Sequence, residues 1–381
     1  MYSVWSKGAW TIVIVMICFY LIYRLIEKKT VFGPSEGFES MEYPEKDAFL
    51  KTDNLPLKEY AIFSSLNTAY NGNKITIDQL GKVMYSGCRF IDLNLFTTDT
   101  TEVYVGFAVD NAPTLMDVSL PFHSVIEYIN SFGFMVDPDM KKKVGIELQD
   151  QIAGAFNPAS QKGRTIQDVY VDYPLFLNLR VYRPAKSTID IVGEIAKYLQ
   201  KLKRAHVDAT GNAIKITQYT QLNEIMGKVI ITMDIENILQ IYASPAPYDP
   251  NNIPIETRKA IEKLVNIKTG GDLWSTFYQY TDVDKNTHLP LKRMDTDMTN
   301  TTYETNALNM KIAYPYYKND ISNPDFYAYL MNHQIQTVPH RFYIKDSNLD
   351  KYVDVFKTNK TPFLPLYHAY TYINKKSQPL V

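Results

Sequence analysis

The chain has 381 residues, enough for one large domain or two ordinary ones. Hydrophobic residues make up 45% and charged ones 21%, the balance of a globular protein with a sizeable core and not of a disordered chain. Lys+Arg (40) and Asp+Glu (41) leave a net charge of −1, which excludes the strongly basic footprint of a nucleic-acid binder.

After a short flank, 1–7, the run from Gly8 to Tyr23 carries no charge and no proline, and Leu25 and Ile26 extend it past Arg24. As a helix, 8–26 spans about 28 Å, close to the hydrocarbon thickness of a bilayer. Arg24 can snorkel to the headgroups, and Trp5, Trp10, Tyr20 and Tyr23 fall where interfacial aromatics belong. The basic stretch that follows is no small-residue cleavage site, so the run reads as a retained transmembrane helix and not as a signal peptide. Lys7 precedes it while Arg24, Lys28 and Lys29 follow, which predicts a single-pass protein with its C-terminal side in the cytosol. Only two cysteines are present, Cys18 and Cys88, which suits a reducing compartment. Two glycosylation triplets, beginning at Asn300 and Asn359, point mildly the other way.

Residues 27–57 mix charge, Gly, Pro and Ser and read as a juxtamembrane linker. From 58 onward strand-like and helix-like runs alternate. Strands are predicted at 60–65, 89–96, 103–108, 174–182 and 228–234, and helices at 75–87, 121–133 and 187–205. Such alternation indicates a parallel α/β domain, and pattern alone does not choose between a barrel and a doubly wound sheet. Residues 240–305 are rich in Pro, Asp, Asn and Thr and read as irregular loops around one short helix, 256–266. Strand-like runs return near 309–315, 333–339 and 361–367.

Tyr60 to Phe96 resembles the opening of the X region of phosphoinositide-specific phospholipase C. Ser64, Ser65, Asn67, Thr68, Gly87, Cys88 and Arg89 match that opening in type and order. Further matches are Val103, Tyr104 and Gly106, then Pro174 to Leu177, then Gly227 to Ile230. The stretch from Ala313 to Phe342 resembles the Y region of the same family. The resemblance implies a distorted TIM barrel over 58–381, with an X-like half at 58–235, the loop-rich insert at 240–305 and a Y-like half at 306–368. Its active site would lie at the C-terminal ends of the strands.

In this family two histidines act as base and acid around a calcium ion held by carboxylate and amide oxygens. Aligned on the motifs, the two histidines fall at Leu66 and Val105, neither of which transfers a proton. The calcium positions fall at Asn67, Asp92, Asn94 and Arg180, the last a cation in a cation site. The substrate-binding lysines fall at Thr232 and Asp234, and the arginine at Ile312; Tyr314 alone keeps its type. Metal-free bacterial relatives also place an arginine where calcium would sit, but they keep both histidines. The residues that remain have structural readings. Asn67 caps a turn, Asp92 and Arg180 form a buried ion pair between neighbouring strands, Cys88 packs as an inert thiol and Tyr314 ends a strand.

These positions predict no catalytic residue, no metal and no cofactor. The reading is a membrane-anchored pseudoenzyme that serves as a structural or protein-interaction module. Inactive barrels of this kind occur in large DNA viruses, which makes a virion inner membrane a compatible setting and capsid or membrane proteins the expected partners. Besides those, the bilayer is contacted through 8–26 and no nucleic acid is bound. Two alternatives stand beside it: an active phosphatidylinositol phosphodiesterase using His333 or His340 on the late strands, and a lipid-binding domain without turnover.

Overall fold

The computed structural model describes residues 54–97, 102–109, 112–114, 120–135, 172–182, 191–217, 219–234, 263–269, 276–279, 310–314 and 322–377. The chain divides into two compact units, Met1–Glu39 and Ser40–Val381, and every described residue belongs to the second. The expected anchor at 8–26, its flank and most of the linker lie outside the described residues. Among the described residues no helix is long and apolar enough to cross a membrane. The linker reading runs slightly too far. Leu57 is fully buried and its N–H donates to the Thr220 carbonyl at 2.9 Å, so Asn54–Leu57 already belongs to the folded unit.

The strands are β1 (Tyr60–Ile62), β2 (Phe90–Thr97), β3 (Val103–Val109), β4 (Ala112–Thr114), β5 (Leu120–Pro121), β6 (Leu175–Tyr182), β7 (Val229–Asp234), β8 (Ile267–Thr269), β9 (Thr276–Gln279), β10 (Lys311–Tyr314) and β11 (Phe363–Pro365). The helices are α1 (Ile77–Tyr85), α2 (Phe122–Phe132), α3 (Ile191–Leu199), α4 (Phe326–His333), α5 (Ser347–Thr358) and α6 (Leu366–Ser377). Helix starts follow local chemistry. Thr76 caps α1 by accepting from the Gln79 N–H at 3.1 Å, and Asp346 caps α5 by accepting from the Leu349 N–H at 2.8 Å.

The central sheet runs β2–β6–β7–β8 with all strands parallel. Single-residue parallel bridges continue the succession. Ser64, just past β1, bridges Phe90, and Thr337 bridges both Ile62 and Ile312. β10 then pairs parallel with β9. β3 departs from the parallel pattern: it pairs antiparallel with the C-terminal half of β2. Five residues separate the two strands, too few for the crossover a parallel neighbour needs. The stretch read as irregular supplies β8 and β9, runs of three and four residues that are too short to show alternation. Residues 263–266 form a turn, not the end of the predicted helix, and 256–262 lie outside the described residues.

Alternation gives the parallel strands two different faces. Ile91, Leu93, Leu95, Leu177, Leu179, Val181, Ile231 and Met233 join residues of α1, α2 and α3 in an outer core. On the opposite face Phe90, Phe176 and Ile230 join Tyr60, Ile62, Met310, Ile312 and Phe363 in an inner core. Both clusters are almost wholly buried, so strands with apolar residues on both faces read as continuous hydrophobic runs. The glycosylation triplet at 359–361 is structural. Asn359 is the C-cap of α5 and its amide donates to the Val355 carbonyl at 2.7 Å, while the buried Thr361 hydroxyl donates to the Phe363 carbonyl at 2.9 Å.

Candidate functional site

The inward face of β2, β6 and β7 is stacked in register. Phe90, Phe176 and Ile230 form the lowest row, Asp92, Asn178 and Thr232 the next, and Asn94 and Arg180 the third. Phe96 and Tyr182, paired across β2 and β6, close the stack above with Tyr104 packed beside them. Two polar rows are therefore held between an apolar floor and an aromatic cap. Gly106 allows the cap to settle: a Cβ there would lie 2.0 Å from the Phe96 ring.

Asp92 is the hub. Its Oδ2 accepts from Arg180 Nη2 at 2.5 Å and from the Asn67 N–H at 3.1 Å, and its Oδ1 accepts from Asn178 Nδ2 at 2.8 Å. Asn178 Oδ1 in turn accepts from the Thr232 hydroxyl at 2.8 Å. Asn67 Oδ1 accepts from Arg180 Nη2 at 3.3 Å and from Asn94 Nδ2. Asn67 reaches this position because its backbone is left-handed, with φ 48°, a conformation asparagine tolerates better than most residues. The next residue fixes the turn: the Thr68 N–H donates to the Asp92 carbonyl at 3.0 Å, and the Asp92 N–H donates to Thr68 Oγ1 at 2.8 Å. Asp92 is fully buried and Arg180 is 7% exposed, so the pair neutralises its own charge out of water. The buried ion pair expected from the sequence is present. Asn178, which ties Asp92 to Thr232, was not singled out from the sequence; its only signal is an amide within the apolar run Leu175–Tyr182.

The other predicted positions lie as follows. Leu66 is buried, and its N–H donates to the His340 carbonyl at 2.9 Å. Val105 pairs with Leu95 and belongs to the outer core, on the face of β2 and β3 opposite Asp92 and Asn94. Ile312 is part of the inner core, below the polar rows. Asp234 and Tyr314 end β7 and β10, where they pair with Thr269 and Gln279.

The two histidines considered as substitutes occupy different surroundings. His333 is the last residue of α4 and not part of a strand. His340 is fully buried, stacked on the Tyr352 ring at 3.7 Å, with Nδ1 2.7 Å from the Val338 carbonyl and Nε2 3.2 Å from the Pro324 carbonyl. Burial outweighs both carbonyls and pushes its pKa down to about 4. A neutral imidazole has one N–H, and the shorter contact assigns it to Nδ1. Cys88 is equally enclosed, and burial raises its thiol to about 12, the inert packed thiol that the sequence suggests.

Residues 53–233 match the family model described as phosphatidylinositol-specific phospholipase C, X domain. That stretch, a little under half of the chain, is similar to the family's X domain. The X-domain match takes in every residue of the polar rows. Among solved structures, S. officinalis PLC21 is similar at 14% identity and a TM-score of 0.49, over 82% of this chain and 37% of that one. L. pealei PLC21 gives 14% and 0.46 over the same shares. A calcium-dependent phosphoinositol-specific phospholipase C from a Gram-negative bacterium, Pseudomonas sp, gives 10% and 0.36, over 77% of this chain and 94% of that one. The chain thus spans a little over a third of the length of the two PLC21 proteins. No curated protein matches it.

Calcium takes six to eight oxygen ligands, several of them carboxylate. Here the aligned positions offer one carboxylate, and both of its oxygens already accept hydrogen bonds. The Asn67 oxygen is likewise used, and a guanidinium stands among the would-be ligands. Among the described residues no group of three or more His, Cys, Asp or Glu is placed to hold a metal. These residues do not fit calcium. What the arrangement does chemically is lock the ends of β1, β2, β6 and β7 to one another.

Proposed function

We propose that this protein is a membrane-tethered, catalytically inactive X-domain barrel that serves as a structural and protein-interaction module. The observation that carries this reading is the Asp92–Arg180 pair, which occupies the aligned metal position with a cation covalently part of the chain. Three further features support it. The aligned acid and base positions are the buried Leu66 and the outward-facing Val105. His340, the remaining buried imidazole of the late segments, has both ring nitrogens against backbone carbonyls. The parallel succession from β9 through β10, Thr337, β1, β2, β6 and β7 to β8 follows the strand order of a distorted barrel. In this reading the 8–26 helix holds the domain on the cytosolic face of a membrane at which coat or membrane proteins assemble.

The test is turnover by the full chain in vesicles containing phosphatidylinositol, with and without calcium. Release of water-soluble inositol phosphate at the level of protein-free vesicles is the expected result. Release that depends on His333 or His340 would replace this reading with that of an active phosphodiesterase. Retention of phosphatidylinositol headgroups without release would replace it with that of a lipid-binding domain.

A further inference from the structure

At the N-terminal ends of the parallel strands, opposite the polar rows, one exposed surface combines apolar and basic side chains. Tyr219 is 63% exposed and Ile214 42%, two of the three large hydrophobic residues that stand out in this way among the described residues. Backbone hydrogen bonds join the segments that carry them to three exposed lysines. The Val229 N–H, next to Lys228, donates to the Arg204 carbonyl at 2.7 Å, and Lys203 precedes Arg204. The Ile214 N–H donates to the His206 carbonyl at 3.0 Å, and the neighbouring Ala213 N–H donates to the Lys263 carbonyl. Burial and the nearby Lys228 ammonium both hold the His206 imidazole below its ordinary pKa. Of the acidic residues at this end, Asp172 lies beside Gly227, and three others have local partners. Asp208 accepts from the Thr210 and Asn212 N–H groups, Glu224 accepts from the Gln221 N–H, and Glu59 pairs with Lys58 at 3.7 Å.

The chain joins the domain at this same surface. Leu57 donates to the Thr220 carbonyl, Leu222 donates to the Leu55 carbonyl, Pro56 bridges Gln221, and Asn54 hydrogen-bonds Gln221. Twenty-seven residues, 27–53, separate the end of the sequence-read anchor from Asn54. In the tether reading, a linker that ends beside Tyr219 brings this surface toward the bilayer.

We infer that the Ile214–Tyr219 surface, with Lys203, Lys228 and Lys263, docks onto an anionic lipid bilayer. The aromatic and aliphatic side chains enter the interface while the lysines meet acidic headgroups. The C-terminal ends of the strands, where Asp92 and Arg180 lie, then face away from the membrane and toward partners. The inference rests on the tether reading and is independent of whether the polar rows are catalytic.

The test uses the full chain in nanodiscs of phosphatidylcholine alone or with phosphatidylserine, some acyl chains brominated. An environment-sensitive probe is attached at Tyr219→Cys or, as the opposite-end control, at Asn73→Cys, both in a Cys18→Ser background. Asn73 is exposed in the loop between β1 and α1, and the native Cys88 is buried. Quenching at position 219 in the anionic discs, with none at 73, is expected. Each lysine contributes roughly fivefold to docking, so the Lys203→Ala/Lys228→Ala/Lys263→Ala variant should lower the docked-to-free ratio on the order of a hundredfold. A probe at 219 that stays aqueous in both compositions overturns the proposal, as does quenching at 73 in preference. Failure of the chain to enter nanodiscs overturns the tether itself.

Discussion

Arg180 stands two residues beyond Asn178, the register partner of Asp92 on the neighbouring parallel strand, and its guanidinium reaches back to place Nη2 2.5 Å from Asp92 Oδ2. The same Nη2 lies 3.3 Å from Asn67 Oδ1, so one nitrogen ties the end of β1 to the second and third rows of the stack. Two buried charges cost several kcal/mol each to remove from water, and their attraction offsets that cost only where further hydrogen bonds complete the shell. Asn67 and Asn178 supply such bonds here, and Thr232 holds Asn178 in place.

Removing one charge leaves the other stranded. Asp92→Asn and Arg180→Met should each destabilise the domain by about 3–5 kcal/mol, while the double variant should lose much less than the sum of the two. Thermal unfolding of the full chain in detergent, compared across the four proteins, reads the coupling directly. Additive losses would mean that the two side chains act independently, and the account of the site as one locked unit would be wrong.

Restoring the family's imidazoles should restore nothing. Val105 faces the outer core beside Leu95, so Val105→His would bury a polar ring among aliphatic side chains and cost about 1–3 kcal/mol. Leu66→His/Val105→His should remain inactive toward phosphatidylinositol in a headgroup-release assay. Measurable turnover by this variant would show that position 105 can present a side chain to Asp92.

The strands were largely readable from the sequence because they are long apolar runs bounded by turn residues: the predicted 89–96 is offset from β2 by one residue, and the predicted 174–182 starts one residue before β6 and ends with it. Asp92, Asn94 and Arg180 were readable as site positions because they fall at the calcium positions of the motifs that this stretch resembles. The direction of β3 was not legible in its composition; its only signal is the connection between the predicted strands 89–96 and 103–108, too short for a parallel crossover. Nor were α4, α5 and α6, whose tyrosines and lysines blur the apolar stripe that Leu349, Tyr352, Val353 and Phe356 form on α5. Asn178 was not legible because none of the aligned motif positions falls on it.

His340 carries a pH dependence whose sign is fixed by its burial. Its folded pKa of about 4 lies below the ordinary value near 6.5, so its contribution to stability is complete above about pH 6.5 and is lost as pH falls toward 4. The full chain should therefore lose about 2–3 kcal/mol between pH 7 and 4.5 that a His340→Asn variant does not lose. Denaturant unfolding at the two pH values checks this, and parallel losses in both proteins would place the titrating group elsewhere.

The central claim, that a guanidinium already occupies the aligned metal position, is tested most directly by titrating calcium into the full chain and following heat and thermal stability. The account predicts no saturable binding and no stabilisation for the native sequence. Saturable binding of one calcium per chain, abolished by Asp92→Asn, would contradict it.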